Sequence, residues 1–247
     1  MNRPVRPAVW GVLLLTVLAI GVLVKLGMWQ LDRAEEKRTL MADLASRESV
    51  SLSWPLPGDP AEQLAGHRVS GIATPVPGKA LLLDNQTREG QVGYRWLQPV
   101  RLDDQEAPWL LLDLGFIPVP RGSRALPALL ALPERFMVEG RLYQVGHNPL
   151  NPDLLPEAGA ITRIQALNMA QLSAHWSASI VPVVMLVESP SELGYPRSWE
   201  PINLSPEKHQ GYALQWFGLA VALTVILLVM LNRGRLQRSA QADRLES

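Results

Sequence analysis

The chain has 247 residues, no cysteine, and 23 basic residues balancing 23 acidic ones, for a formal charge of zero. Neutrality without basic–aromatic clusters gives no support to nucleic-acid binding. The missing cysteines rule out a Cys-x-x-Cys redox pair and fit an oxidising compartment.

In chain order, Arg3 and Arg6 precede an apolar run at 8–26, broken only by Thr16 and Lys25. Trp10 and Trp29 flank it, and at helical rise they stand roughly 29 Å apart, close to the hydrocarbon thickness of a bilayer. Both rings then sit at interfaces, and Lys25, one turn before Trp29, reaches the headgroups. A cleaved signal peptide is the rival reading. The run is too long for one, and no small-x-small cleavage pattern follows it before Trp29. Residues 32–47 are charged and helix-favouring, so the helix is expected to continue outward. The stretch Ser53-Trp54-Pro55-Leu56-Pro57-Gly58-Asp59-Pro60 then stops it and forms a linker.

Five stretches, 68–73, 79–87, 94–102, 109–117 and 136–145, read as strands, most of them bounded by Pro, Gly or Asn-Pro. A short helix is expected at 166–176 and a late buried strand at 180–187, with Pro182 pushing that strand towards an edge or occupying its first residues. Strands without βαβ alternation predict an α+β, mainly antiparallel, barrel-like domain. Leu129, Leu130, Leu132, Leu154 and Leu155 are expected as loop anchors in the core. A second apolar run, 212–231, broken only by Gln215 and Thr224, completes a two-span membrane protein.

Arg3 and Arg6 before the first run, and Arg233, Arg235, Arg238 and Arg244 after the second, place both ends in the cytoplasm. The expected layout is a cytoplasmic tail 1–8, membrane helices 9–29 and 211–231, a periplasmic domain 30–210 and a second tail 232–247, in a bacterial inner membrane. Tails this short hold no kinase or cyclase, so a sensor would need a separate signalling partner.

Catalytic signatures are absent: no His-Glu-x-x-His, no Gly-x-Ser-x-Gly, no nucleophile with a base. Gly71 to Gly78-Lys79 is too widely spaced for a phosphate loop, and Pro75 and Pro77 remove amide donors. The chain is therefore not expected to be an enzyme. His67, His147 and His175 read as surface or capping histidines, with no convergent ligands for copper.

Polar and aromatic residues gather where each span meets the central domain. Gln30, Arg33 and Lys37 lie at i, i+3 and i+7, and Trp29 and Arg33 at i, i+4, spacing that allows a cation–π contact. His209, Tyr212 and Trp216 share a face of the second helix. An interfacial belt with snorkelling cations explains these residues. So does an axial haem site, with an imidazole for iron, flat rings beside the macrocycle and cations for its propionates.

Gly27-x-Trp29-Gln30-Leu31-x-Arg33-x-x-x-Lys37 and His209-x-x-Tyr212-Ala213-x-x-Trp216-Phe217 resemble the end signatures of the Surfeit locus protein 1 family. Val69-x-Gly71, Leu83-x-Asn85 with Gly93-Tyr94, Gly115-Phe116-Ile117-Pro118 and Gly140-x-Leu142 agree with it. The chain departs from the family pattern at Leu114-Gly115-Phe116, where an Arg-Gly-Trp turn is usual, and at Gln86, where a basic residue is common. The resemblance implies an assembly factor for cytochrome c oxidase that binds haem a and assists its placement into subunit I. It carries the haem ligand onto His209. The haem a synthesis enzyme is a further candidate partner, besides the lipid bilayer. The alternatives are a scaffold that never touches haem and a ligand-sensing outer domain with a separate signalling partner.

Overall fold

Helix α1, Pro7–Glu48, runs unbroken for 42 residues in the computed structural model. No proline interrupts it after Pro7, and at helical rise it is about 63 Å long, twice a bilayer core. The structure describes residues 7–246 except 57, 104, 105, 107, 121–125, 145–151, 158, 160 and 200–203. His147 and its turn lie outside the described residues. The chain divides into two compact units, Met1–Met41 with Ile202–Ser247, and Ala42–Pro201.

The first unit is built from most of α1 and the last helix, Pro206–Glu246. Each contains a segment long and apolar enough to cross a bilayer, within Trp10–Glu48 and Pro206–Gly234. The polar breaks in these segments satisfy themselves. Thr16 donates to the Val12 carbonyl at 2.8 Å and Thr224 to the Ala220 carbonyl at 2.7 Å, which removes the cost of a lone hydroxyl in hydrocarbon.

The second unit is the β domain. After α1 come β1 (Ser51–Leu52), α2 (Ala61–Leu64), β2 (Arg68–Pro75), β3 (Leu81–Arg88), β4 (Gln91–Leu102), β5 (Trp109–Pro118) and β6 (Phe136–Tyr143). Then follow β7 (Thr162–Ile164), α3 (Met169–Trp176) and β8 (Ile180–Ser189), before the last helix, α4. The sheet order is β1-β2-β6-β8-β5-β4-β3-β7, and β2 also pairs with β4. Strands β2, β6, β8, β5 and β4 thus close into a five-strand barrel, mostly antiparallel, with β5–β8 parallel. Closure removes the exposed edges that β2 and β4 would otherwise present.

The expected strands agree closely with those observed. The expected helix at 166–176 begins three residues later, at Met169, where the Asn168 side chain caps it by accepting from Gln171 N. Of the two places expected for Pro182, an edge strand or a strand's first residues, the second holds, since Pro182 is the third residue of β8. Strand β8 lies between β6 and β5. The register runs Trp109↔Ile180 and then Leu111↔Val184, so Pro182 falls in an irregularity near the strand's start, where the ladder asks nothing of its nitrogen.

Alternation explains the core. Tyr94, Trp96, Val100 and Leu102 of β4, Leu110, Leu112 and Leu114 of β5, and Val183, Met185 and Val187 of β8 form one buried cluster. The intervening Leu97, Leu111 and Val184 join a second cluster with Leu154, Leu172 and Trp176, so α3 covers the outer face of these strands. Strands buried on both faces read as continuous apolar runs, as Trp109-Leu110-Leu111-Leu112 does. Leu129 and Leu132 pack against the first cluster, whereas Leu130 and Leu155 stay exposed.

Candidate functional site

Helix α4 starts with Pro206, whose missing N–H costs nothing at the first helical position. The Ser205 carbonyl accepts from Lys208 N and His209 N, at 3.1 and 3.3 Å. His209 is thereby fixed in the first turn of the helix that becomes a membrane span. It is only 8% exposed. Its Nδ1 donates to Gln30 Oε1 on α1 at 2.7 Å.

That bond has a chemical consequence. Nδ1 engaged by an amide carbonyl fixes the tautomer and leaves Nε2 as the nitrogen with a lone pair for a metal. Metal-binding histidines generally hold their second nitrogen in this way. The same two helices approach closely at Gly27, where a Cβ would lie 2.5 Å from the Phe217 ring. Ala34 on α1 and Ala213 and Ala220 on α4 are also buried.

The other residues expected at the site are distributed around it. Arg33 lies 5.7 Å from the Trp29 ring centroid and pairs with Glu36 at 2.5 Å. This pair is exposed, and exposed pairs hold weakly enough to exchange partners. Lys37 and Trp216 are half-buried, while Trp29 and Tyr212 are exposed. The structure therefore joins His209 to Gln30 directly and leaves Tyr212 open. His67 Nδ1 lies 3.2 Å from the Leu64 carbonyl, and His175 is exposed in the last turn of α3.

The β domain contains polar networks that the sequence did not reveal. Asp113, 1% exposed, accepts from Arg95 Nη1 at 2.9 Å, Tyr143 OH at 2.7 Å and Gly115 N at 2.9 Å. Burial and then the Asp113 charge push the Tyr143 hydroxyl well above its ordinary range. Burial pulls Arg95 down, but Asp113 and Tyr143 together more than offset it and hold the guanidinium above its usual value. Elsewhere Arg141 pairs with Glu48 at the end of α1, with Glu188 at 3.2 Å, and packs 4.7 Å from the Trp199 ring centroid. Isolated arginines and carboxylates far apart in sequence carry no signal for such pairings.

These features define a two-span membrane protein with a small closed barrel and a buried, oriented histidine in the first turn of its second span. Residues 17–221 match the model of the SURF1 family, and the chain belongs to that family. A SURF1-like protein from Monosiga brevicollis is 24% identical over 241 residues, covering 91% of this chain and 87% of that relative. The family is one of assembly factors, linked to cytochrome oxidase assembly, and is not a known catalytic family.

Proposed function

We propose that the protein binds haem a at the membrane boundary through His209 and assists its insertion into subunit I of cytochrome c oxidase. The observation that carries this reading is the Gln30–His209 hydrogen bond at 2.7 Å. A histidine in a simple interfacial belt needs no such partner, whereas a haem ligand gains a fixed tautomer and a more basic Nε2 from it.

Haem supplies an iron that takes an imidazole nitrogen and two propionates that take cations. His209 would hold the first, and Arg33 and Lys37 would receive the second once Arg33 exchanges Glu36 for a propionate. Trp29, Tyr212 and Trp216 offer rings to the macrocycle. A single strong ligand suits a carrier, since two would slow release into the oxidase. In this reading both termini are cytoplasmic, the barrel is periplasmic in a bacterial inner membrane, and the haem a synthesis enzyme is the donor.

The test is co-purification of the full chain with haem-synthesis enzymes and oxidase subunit I present. Haem a bound to the wild type and absent from His209→Ala would support the carrier. A colourless wild type that still captures subunit I would replace it with a scaffold.

A further inference from the structure

Strands β3 and β4 are joined by the two-residue turn Glu89-Gly90, both residues with positive φ (51° and 76°), closing on the pair Arg88↔Gln91. Such a turn follows the twist of the strands and holds its flanking residues in register. It fixes Arg88 at the rim of a cavity of about 130 Å³ that Arg95, Asp113, Gly115 and Arg197 also line. This is far smaller than the roughly 300–1,000 Å³ of a drug-sized ligand site, so the cavity has room for one small group such as a phosphate and not for a whole haem or nucleotide.

The charges of the cavity do not cancel. Arg95 is matched by Asp113. Arg197 gives all its N–H donors to backbone carbonyls, those of Val187, Leu193, Tyr195, Pro190 and Ser191. Carbonyls satisfy its hydrogen bonds without neutralising its charge, and burial holds this guanidinium below its ordinary value although Asp113, which Arg95 already claims, acts against it. Among the described residues Arg88 pairs with Glu89, 3.6 Å from Nε, and that carboxylate is 82% exposed, so the pair is weak. Arg88 Nη1 is buried and has no acceptor among the described residues. A buried guanidinium N–H without a partner is costly, and an anion supplied from outside would relieve both the donor and the excess charge.

We propose that this cavity binds one small oxyanion, a phosphate group, with Arg88 Nη1 as its donor and the charges of Arg88 and Arg197 as its attraction. The phosphate group is either free or carried on a lipid headgroup. The site is independent of the haem reading, since it uses none of its residues.

The test uses the full chain in a nonionic detergent, titrated with inorganic phosphate by calorimetry and by ³¹P NMR. Circular dichroism checks that each variant is folded. The wild type should bind phosphate saturably at one site, and Arg88→Gln should bind it at least about tenfold more weakly, the loss of a charge-assisted hydrogen bond. Arg101→Gln is the control, because Arg101 Nε is likewise buried without a hydrogen-bond acceptor among the described residues, has only a weak pair with the exposed Glu106 at 3.7 Å, and does not line the cavity. Repeating the titration in nanodiscs separates the sources. Competition by phosphatidylglycerol discs, absent with phosphatidylcholine, assigns the site to a lipid headgroup, whereas equal titration assigns it to a free anion. No saturable phosphate binding by the wild type in detergent, Arg88→Gln binding as the wild type does, or an equal loss in Arg101→Gln would overturn the proposal.

Discussion

Gln30 Oε1 accepts the Nδ1 proton of His209 at 2.7 Å, tying α1 to the first turn of α4. The bond sets which nitrogen of the imidazole is left for a metal. Replacing Gln30 by Leu should weaken haem binding by about 10- to 100-fold, the usual cost of removing such a partner. Gln30→Glu should keep the haem and lower its midpoint potential, because a carboxylate makes the imidazole a stronger donor. Spectroelectrochemistry of the two variants reads both outcomes. An unchanged spectrum and affinity in Gln30→Leu would show that the bond serves packing alone.

At Gly27 a larger side chain meets the Phe217 ring, with a Cβ already 2.5 Å from it. Gly27→Leu should therefore lower the stability of the helix pair by about 1–3 kcal/mol, the range for overpacking. Adding Phe217→Ala should restore much of the loss. Thermal unfolding in detergent of the two single variants and the double variant measures it, and additive losses would mean that the two residues do not meet.

Much of the β domain was legible, for a physical reason. Trp109-Leu110-Leu111-Leu112 is buried on both faces, so pattern and environment agree. Pro182 left two readings open, an edge strand or a strand's first residues, and the second holds because an irregularity early in β8 frees its nitrogen from the ladder. The two-residue β1, the three-residue β7 and the one-turn α2 are too short for any period to register. Barrel closure through Ala73↔Leu102 joins residues whose separation no local pattern encodes. At the site, the sequence placed Gln30 and His209 on separate helices. Only the tertiary structure joins them, and it leaves Tyr212 exposed.

Tyr143 should give the domain an alkaline limit. Its folded pKa is raised above the ordinary value near 10.0 by burial and by Asp113. A raised pKa means that the folded state keeps a proton that the unfolded state releases. The contribution is therefore fully present below about pH 10 and is lost as pH rises from there towards the folded value. Tyr143→Phe should flatten that alkaline slope in denaturant titrations while leaving the neutral-pH slope unchanged. An alkaline slope identical to the wild type would contradict the burial of this hydroxyl against Asp113.

Arg141 and Glu48 should differ in cost although they pair with each other. Arg141 also holds Glu188 and packs on Trp199, and it is 9% exposed. Arg141→Ala would lose the packing on Trp199 and leave Glu48 and Glu188, both partly exposed, to Arg68 alone, at a cost of about 1–3 kcal/mol. Removing Glu48 leaves Arg141 with Glu188, so Glu48→Ala should cost under about 1 kcal/mol. Urea midpoints of the two variants rank them, and the reverse order would mean that the end of α1, not Glu188, holds Arg141.

The visible spectrum of the full chain, purified after co-expression with haem a synthesis enzymes, tests the central claim most directly. The account predicts a haem a spectrum in the wild type that is lost or shifted in His209→Ala. A wild-type spectrum unaffected by His209→Ala, or a protein that binds no haem while still capturing oxidase subunit I, would contradict it.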